Sequence, residues 1–188
     1  QHREKAKSLY SLYQEIILAG KELDSNHPFT IINGDLQYID LIKEYVTSLD
    51  ILGTNMYRGI TFTSAWKDVD SKLDLPVALA EFGSDAYNAK EGAEDQLSQA
   101  ILLKGQWQDI YNQSYGNNGF GNSIGGFAFE WRDEWWKFKQ TENLDIHDTN
   151  ASWSNGGYPS DYVEGRNNMN EEWWGIVRLG DINGDGIY

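Results

Sequence analysis

The stretch from residue 76 to residue 85, PVALAEFGSD, constrains the fold of this chain more than any other. A short apolar run between a proline and a glycine is typical of a fully buried strand in a parallel sheet. This run ends on a carboxylate, Glu81, and is interrupted at once by Gly83. Because removing an unpaired carboxylate from water is costly, a buried strand that ends on one indicates a functional group. At the carboxyl end of a barrel strand, such a position is typical of catalysis.

Short apolar strands alternate with helical patterns along the whole chain. The patterns predict helices over 3–23, 36–47 and 93–113, a short helix or turn over 62–71, and strands over 29–32, 49–53, 76–82 and 124–131. This alternation predicts an α/β fold with a parallel sheet and right-handed connections. Four such units make half of a (β/α)8 barrel, whose usual length is about 250 residues. An open doubly wound sheet is the alternative, but no glycine-rich phosphate fingerprint follows any strand.

Composition excludes several classes of partner. The net charge of −14 argues against nucleic acid and against an anionic membrane surface, since both require basic patches. No apolar run approaches the roughly 18 residues that span a bilayer. The chain has no cysteine, which excludes disulfides and cysteine-ligated metals. Aromatic residues make up 14% of the chain, including 8 tryptophans, and either a carbohydrate-binding surface or a tryptophan-rich core would account for them.

Polar and aromatic side chains follow each predicted strand. Because the carboxyl ends of barrel strands surround one pocket, these side chains are expected to converge. For three of them, Asp35, Asp85 and Asp133, a capping or turn role is favoured. His27 and His147 lack the spacing of a metal site and are predicted to be solvent-exposed. The strand-end residues are, in chain order, Asn33 and Asp35; Asn55, Tyr57 and Arg58; Glu81 and Asp85; then Glu130, Trp131, Arg132, Asp133 and Glu134.

Three of these segments resemble a known group of enzymes. Residues 52–59 (LGTNMYRG), 79–83 (LAEFG) and 125–136 (GGFAFEWRDEWW) are similar to strands six, seven and eight of the retaining (β/α)8 glycoside hydrolases. The likeness is greatest to the family 2 β-glycosidases and the β-1,3-glucanosyltransferases, and residues 171–177 (EEWWGIV) resemble the segment after the barrel in the latter. The resemblance implies that residues 1–178 are the C-terminal half of a TIM (β/α)8 barrel, strands five to eight with their helices. It also implies a secreted, extracellular or cell-surface protein.

The resemblance assigns roles to individual residues. Glu81 matches the nucleophile that forms a covalent glycosyl-enzyme intermediate, and Tyr57 matches the tyrosine whose hydroxyl holds that carboxylate. Glu130 or Trp131 matches the floor of the sugar subsite. Asn55 and Arg58 are expected to bind substrate. Trp135 is expected to bind sugar too, although for it and for Trp136, Trp153 and Tyr158 a core or loop-anchoring role is equally consistent with the sequence.

A retaining glycosidase also needs a second carboxyl group, about 5 to 5.5 Å from the first. In the resembling families it follows an asparagine at the end of strand four. The one Asn-Glu pair in this chain is Asn170-Glu171, after the last predicted strand. The acid/base is therefore predicted to be absent, and the chain alone is expected to be inactive without an N-terminal barrel half. A non-catalytic carbohydrate-binding or scaffold barrel is the alternative function, and open sheet edges would favour a homodimer.

Residues 179–188 form a separate pattern. Asp181, Asn183 and Asp185 occupy the first three ligand positions of a calcium loop, with Gly186 at its sixth position, and they resemble the opening of a dockerin repeat. The chain ends at Tyr188, before the bidentate ligand of such a loop, so tight calcium binding is not expected. A plain turn or linker remains the alternative. No other cofactor or metal is expected.

Overall fold

The computed structural model describes residues 1–137, 141–144, 146–178 and 180. Its helices are α1 (His2–Leu23), α2 (Ile39–Tyr45), α3 (Ala65–Leu73) and α4 (Gln96–Asn112), with a 3-10 helix at Glu171–Trp173. Its strands are β1 (Thr30–Gly34), β2 (Ile51–Asn55), β3 (Val77–Phe82), β4 (Tyr87–Asn88), β5 (Ala93–Glu94) and β6 (Ser123–Ala128). The predicted alternation of strands and helices is therefore confirmed as far as β6.

The chain divides into two units. The first contains Gln1–Met56, Phe62–Glu81 and Asp109–Gly126, and the second contains Tyr57–Thr61, Phe82–Gln108 and the described residues from Phe127 onward. No helix among the described residues is long and apolar enough to cross a membrane. The predicted calcium-loop residues Asp181, Asn183 and Asp185 lie outside the described residues.

A parallel sheet organises the first unit. Its strand order is β1-β2-β3-β6, and both β1–β2 and β2–β3 are parallel pairs. Because these pairs are parallel, the carboxyl ends of β1, β2 and β3 lie at the same end of the sheet. In β3, Val77 and Leu79 are buried whereas Ala78 and Ala80 are half-buried. The expectation of a fully buried strand was therefore wrong for one of its two faces.

Helices α1, α2 and α3 contribute the apolar core of the first unit. Tyr10 and Ile17 are the buried residues of α1, and α2 buries Ile39, Leu41 and Ile42. The start of α3 is fixed by Asp109, whose carboxylate accepts hydrogen bonds from the Phe62 amide at 2.8 Å and the Trp66 indole at 3.1 Å. At 1% exposure, Trp66 belongs to the core.

The second unit has little regular structure after β6. Residues 137–170 are rich in polar residues, glycine and asparagine, yet Tyr158 and Met169 are buried and pack with Leu102 of α4 and with Trp174. The described part of this segment therefore has an apolar core of its own. Before α4, β4 and β5 form a small antiparallel pair that the sequence pattern does not predict.

Candidate active site

The carboxyl ends of β2 and β3 bring Asn55 and Glu81 together in the first unit. Residues 52–54 pair with residues 77–79, but Asn55 pairs with Glu81, so Ala80 is an extra residue in β3. The Met56 amide donates to the Glu81 carbonyl at 2.9 Å. An extra residue of this kind changes the direction of the side chains after it, and such irregularities are common beside active sites. The local irregularity thus places a half-buried carboxylate opposite an asparagine.

The side-chain oxygen of Asn55 is buried and has no hydrogen-bond partner among the described residues. Leaving a buried polar atom unsatisfied costs about 1–3 kcal/mol. Such an atom therefore requires an explanation, and a ligand hydroxyl that donates to it would supply one. Asn55 is the described residue beside Glu81 that has this property.

Asn33 and Asp35, at the end of β1, make contacts with their own turn and with Tyr10 of α1. The Asn33 amide donates to the Asp35 carbonyl at 3.0 Å, and its oxygen accepts from the Tyr10 hydroxyl at 2.9 Å. The Asp35 carboxylate accepts from the Leu36 amide at 2.5 Å. The turn role expected for Asp35 therefore agrees with its contacts.

In the second unit, Tyr57 lies against two tryptophans. Its ring centroid is 4.5 Å from that of Trp174 and 6.3 Å from that of Trp153, edge-to-face in both cases. Its carbonyl accepts a hydrogen bond of 2.8 Å from the side chain of Asn155. Arg58 follows it in the same loop. Tyr57 and Glu81 belong to different units.

Glu130 follows the end of β6, and its pKa is raised. Burial, and next the nearby Glu134 carboxyl, raise the pKa of Glu130 to about 7. Lys137 moderates this effect, and its ammonium lies 3.3 Å from Glu134 and 3.0 Å from Glu171. The Trp153 indole donates to Glu171 at 3.1 Å. Near neutral pH a large fraction of Glu130 is therefore protonated and able to donate a hydrogen bond.

The tryptophans after β6 differ in exposure. Trp131 is 72% exposed and Trp136 is 46% exposed, so both present ring surface to solvent. Trp135 is half-buried and packs edge-to-face on Trp136 at 5.6 Å. Tyr158 is buried and donates its hydroxyl to the Gly83 carbonyl at 2.8 Å. Tyr158 therefore has the anchoring role that the sequence left open for it.

Two aspartates expected to act in turns are buried instead. Asp85 accepts a hydrogen bond from the Asn170 amide, and burial raises its pKa to about 8. Asp133 accepts from the Gly175 amide at 2.8 Å and contacts His147 at 2.8 Å.

The prediction of an exposed His147 was wrong. Its side chain is 3% exposed, and its ring lies 4.6 Å from that of Trp173. Its partners Asp133 and Trp173 are distant in sequence, so no local pattern shows the burial. The other predicted histidine, His27, has a 79% exposed side chain, which confirms the expectation.

Sequence reasoning missed Asn155 and Lys137. Asn155 lies in a glycine- and asparagine-rich stretch and reaches Tyr57 across 98 positions. Lys137 has an ordinary charge pattern, and its position between two glutamates is visible only in three dimensions. The repeated tryptophans of the segment 131–174 were the available indication that it packs against something.

No family model matches the sequence, and no curated protein matches it. Among solved structures, the agarase AgWH50C aligns with a TM-score of 0.55 at 14% identity, over 92% of this chain. The chain has a partial TIM-barrel-like fold. An identity this low shows the fold alone. The predicted class, half of a (β/α)8 barrel, is confirmed at that level.

Two further structures are weaker likenesses. A β-glucuronidase of Bacteroides uniformis aligns with a TM-score of 0.48 at 14% identity over 93% of this chain. A glycoside hydrolase family 17 β-1,3-glucanosyltransferase from Rhizomucor miehei aligns with a TM-score of 0.42 at 15% identity over 90%. The chain spans 23% of the agarase, 18% of the glucuronidase and 53% of the glucanosyltransferase.

Proposed function

We propose that this chain is the C-terminal barrel half of a retaining glycoside hydrolase or transglycosylase that acts on a β-linked oligo- or polysaccharide. The observation that carries the proposal is the pairing of Asn55 with Glu81 at the irregularity in β3. It supports a role for Glu81 because the neighbouring Asn55 oxygen has no hydrogen-bond partner within the described part of the chain. A sugar hydroxyl is the kind of donor that would satisfy it.

In this mechanism the ionised Glu81 attacks the anomeric carbon, and the bond to the leaving oxygen breaks as a second carboxylic acid protonates that oxygen. Water then attacks the covalent intermediate in hydrolysis, and a sugar hydroxyl attacks it in transfer. The family resemblance gives Tyr57 the role of donating the hydrogen bond that holds the carboxylate of the nucleophile. The second acid is supplied by a barrel half outside this chain. Substrate contacts come from Asn55, Arg58, Glu130, Trp131 and Trp135.

The proposed partner is an N-terminal barrel half, or a second copy of this chain. In the first unit, β1 and β6 are the edge strands of the sheet. Ile32 on β1 and Ile124 on β6 are each 56% exposed. Exposed apolar side chains on open strand edges favour pairing with another sheet, because unpaired edges are prone to association.

The role of Glu81 is tested with a dinitrophenyl 2-deoxy-2-fluoro-β-glycoside in the longest natural polypeptide that contains this chain. Dinitrophenolate leaves without protonation, so the reagent reports the nucleophile independently of the acid/base. We expect mass spectrometry to find the fluorosugar on Glu81. Glu81→Gln should abolish labelling and lower turnover by a factor on the order of 10³ or more.

Glu91→Gln is the matched control, since the Glu91 side chain is 65% exposed and pairs only with the adjacent Lys90 in the described contacts. It should label and turn over like the wild type. Labelling of another residue, with Glu81→Gln still active, would contradict the proposal. Polysaccharide binding without any labelling would favour the non-catalytic barrel instead.

A further inference from the structure

The loop that carries Tyr57 is held by a segment about one hundred residues further along the chain. The Asn155 side-chain nitrogen donates to the Tyr57 carbonyl at 2.8 Å. Its side-chain oxygen accepts from the Gly157 amide at 2.9 Å. The two ends of one amide group therefore connect the segment after β6 to the backbone of Tyr57.

The loops that contain Tyr57 and Asn155 also contact each other directly through backbone atoms. Gly59 has a φ of +93°, and a Cβ placed there would lie 1.9 Å from the Gly157 carbonyl oxygen. A Cβ on Gly157 would lie 2.5 Å from the Arg58 carbonyl oxygen. Neither position has room for a side chain, so the approach fixes the backbone directly after Tyr57.

The ring of Tyr57 is fixed by the same segment. It packs edge-to-face on Trp174, which is 3% exposed and whose carbonyl accepts from the Glu130 amide at 3.1 Å. It also meets Trp153, whose indole is held by Glu171. The Trp153 indole is thus held by a hydrogen bond, and the Trp174 side chain belongs to a buried cluster with Tyr158 and Met169, so neither depends on Tyr57 alone.

Asn155 is in turn held rigidly. The Asn155 backbone amide donates to the Asn168 side-chain oxygen at 2.7 Å. The Asn168 side-chain nitrogen donates to the Asn155 backbone carbonyl at 3.1 Å and to the Asp161 carboxylate at 3.0 Å. Asn168 is 1% exposed. Bonds in so buried a network are strong and well directed, so Asn155 has little freedom to move.

We propose that Asn155, assisted by Trp174, is a positioning residue that sets the orientation of Tyr57 for catalysis. The inference rests on the proposed function, in which the Tyr57 hydroxyl holds the nucleophile. A catalytic side chain must be held to within about 0.5 Å of its productive position, and an error of about 1 Å can cost on the order of a hundredfold in rate. Neither Asn155 nor Trp174 needs to touch the substrate to have this effect.

The test uses Asn155→Asp in the polypeptide and with the fluorosugar reagent described above. Aspartate keeps the acceptor for Gly157 but removes the donor to Tyr57 and adds a negative charge. We expect the inactivation rate constant to fall about tenfold, with little change in the concentration that gives half-maximal inactivation. Tyr57→Phe should give a similar or larger fall. The double variant should be no slower than Tyr57→Phe alone, because Asn155 acts through the Tyr57 hydroxyl.

Asn167→Asp is the matched control. The exposed Asn167 side chain donates to the Ala151 carbonyl at 3.2 Å in the same segment. It should inactivate like the wild type. Trp174→Phe is a second variant that keeps an aromatic ring, and since the Trp174 indole nitrogen has no hydrogen-bond partner in the described structure, it sacrifices no such bond. The double variant of Trp174→Phe with Tyr57→Phe should likewise be no slower than Tyr57→Phe alone.

Three results would overturn the inference. If Tyr57→Phe slows labelling but neither Asn155→Asp nor Trp174→Phe does, then the segment does not position Tyr57. If both changes slow labelling by the same factor with and without the Tyr57 hydroxyl, then they act on general stability. If Tyr57→Phe has no effect although Glu81 is labelled, then Tyr57 has no catalytic role to be positioned for, and that part of the proposed function fails first.

Discussion

Asp85 and Asp50 show how one chemical group behaves in two different surroundings. Asp85 is 8% exposed and lies near Asp161, and burial is the largest cause of the rise in its pKa to about 8. Asp50 accepts hydrogen bonds from Lys21 and from the Phe29 amide, and the Lys21 bond is the largest cause of a lowered pKa. The folded state therefore favours the protonated form of Asp85 and the ionised form of Asp50.

These opposite shifts predict opposite effects of pH on stability. Folded Asp85 retains its proton up to about pH 8, whereas the unfolded residue loses it near its ordinary value of about 4, so its contribution to stability is lost as the pH rises between those values. The neutral variant Asp85→Asn should therefore gain melting temperature relative to the wild type as the pH rises from 4 to 9. Asp50→Asn should lose melting temperature relative to the wild type as the pH rises from 2 to 5, since ionised Asp50 stabilises the fold. Thermal unfolding across this range measures both differences, and a flat or falling difference for Asp85→Asn would contradict the assignment.

At the scale of elements, the sequence predicts which helices and strands exist better than it predicts how they pair and which side chains they bury. The strands and helices around Glu81 are predicted to within a few residues, because apolar periodicity is a local property. The irregularity at Ala80 is not predicted, since it depends on how β3 pairs with β2. The burial of Asp85 and His147 is missed for the same reason, because their partners Asn170 and Trp173 come from a distant part of the chain.

The close contact between Gly59 and Gly157 leads to a prediction about the stability of the fold. Gly59→Ala should lower the free energy of unfolding by about 3 kcal/mol or more, because the clash is with a backbone carbonyl that cannot rotate away. Gly165→Ala is the control, since Gly165 also has a positive φ, +81°, but has nothing within 4 Å of the added carbon. It should cost only about 1 kcal/mol. Urea denaturation would measure both, and equal costs would show that the close approach is not required.

At the scale of the whole molecule, charge is the dominant property. The chain has 29 acidic and 15 basic residues, for a net charge of −14. Near the proposed sugar contacts, the ammonium of Lys137 is already paired with Glu134 and Glu171. A net negative charge repels anionic ligands over several ångströms. Under the proposed function, this net charge predicts weaker binding of a uronate- or sulfate-bearing glycan than of a neutral one.

The charge predicts a preference between two derivatives of the same polymer. Hydroxyethylated and carboxymethylated forms of one β-glucan differ chiefly in charge, so their binding can be compared by affinity electrophoresis. We expect the carboxymethylated form to bind about tenfold more weakly at 0.01 M salt, where charges act over about 30 Å. The difference should shrink towards 1 M salt, where that distance is about 3 Å. Equal binding at low salt would contradict the expected repulsion.

The bare-backbone contact between Gly59 and Gly157 also limits how such a domain can be recombined with its relatives. A chimaera that takes residues 153–170 from one parent and residues 57–61 from another would join two surfaces that fit only when both glycines are present. The two loops, although far apart in sequence, would have to be exchanged as a pair. In a library of shuffled genes, crossovers that separate them should be depleted among the folded members.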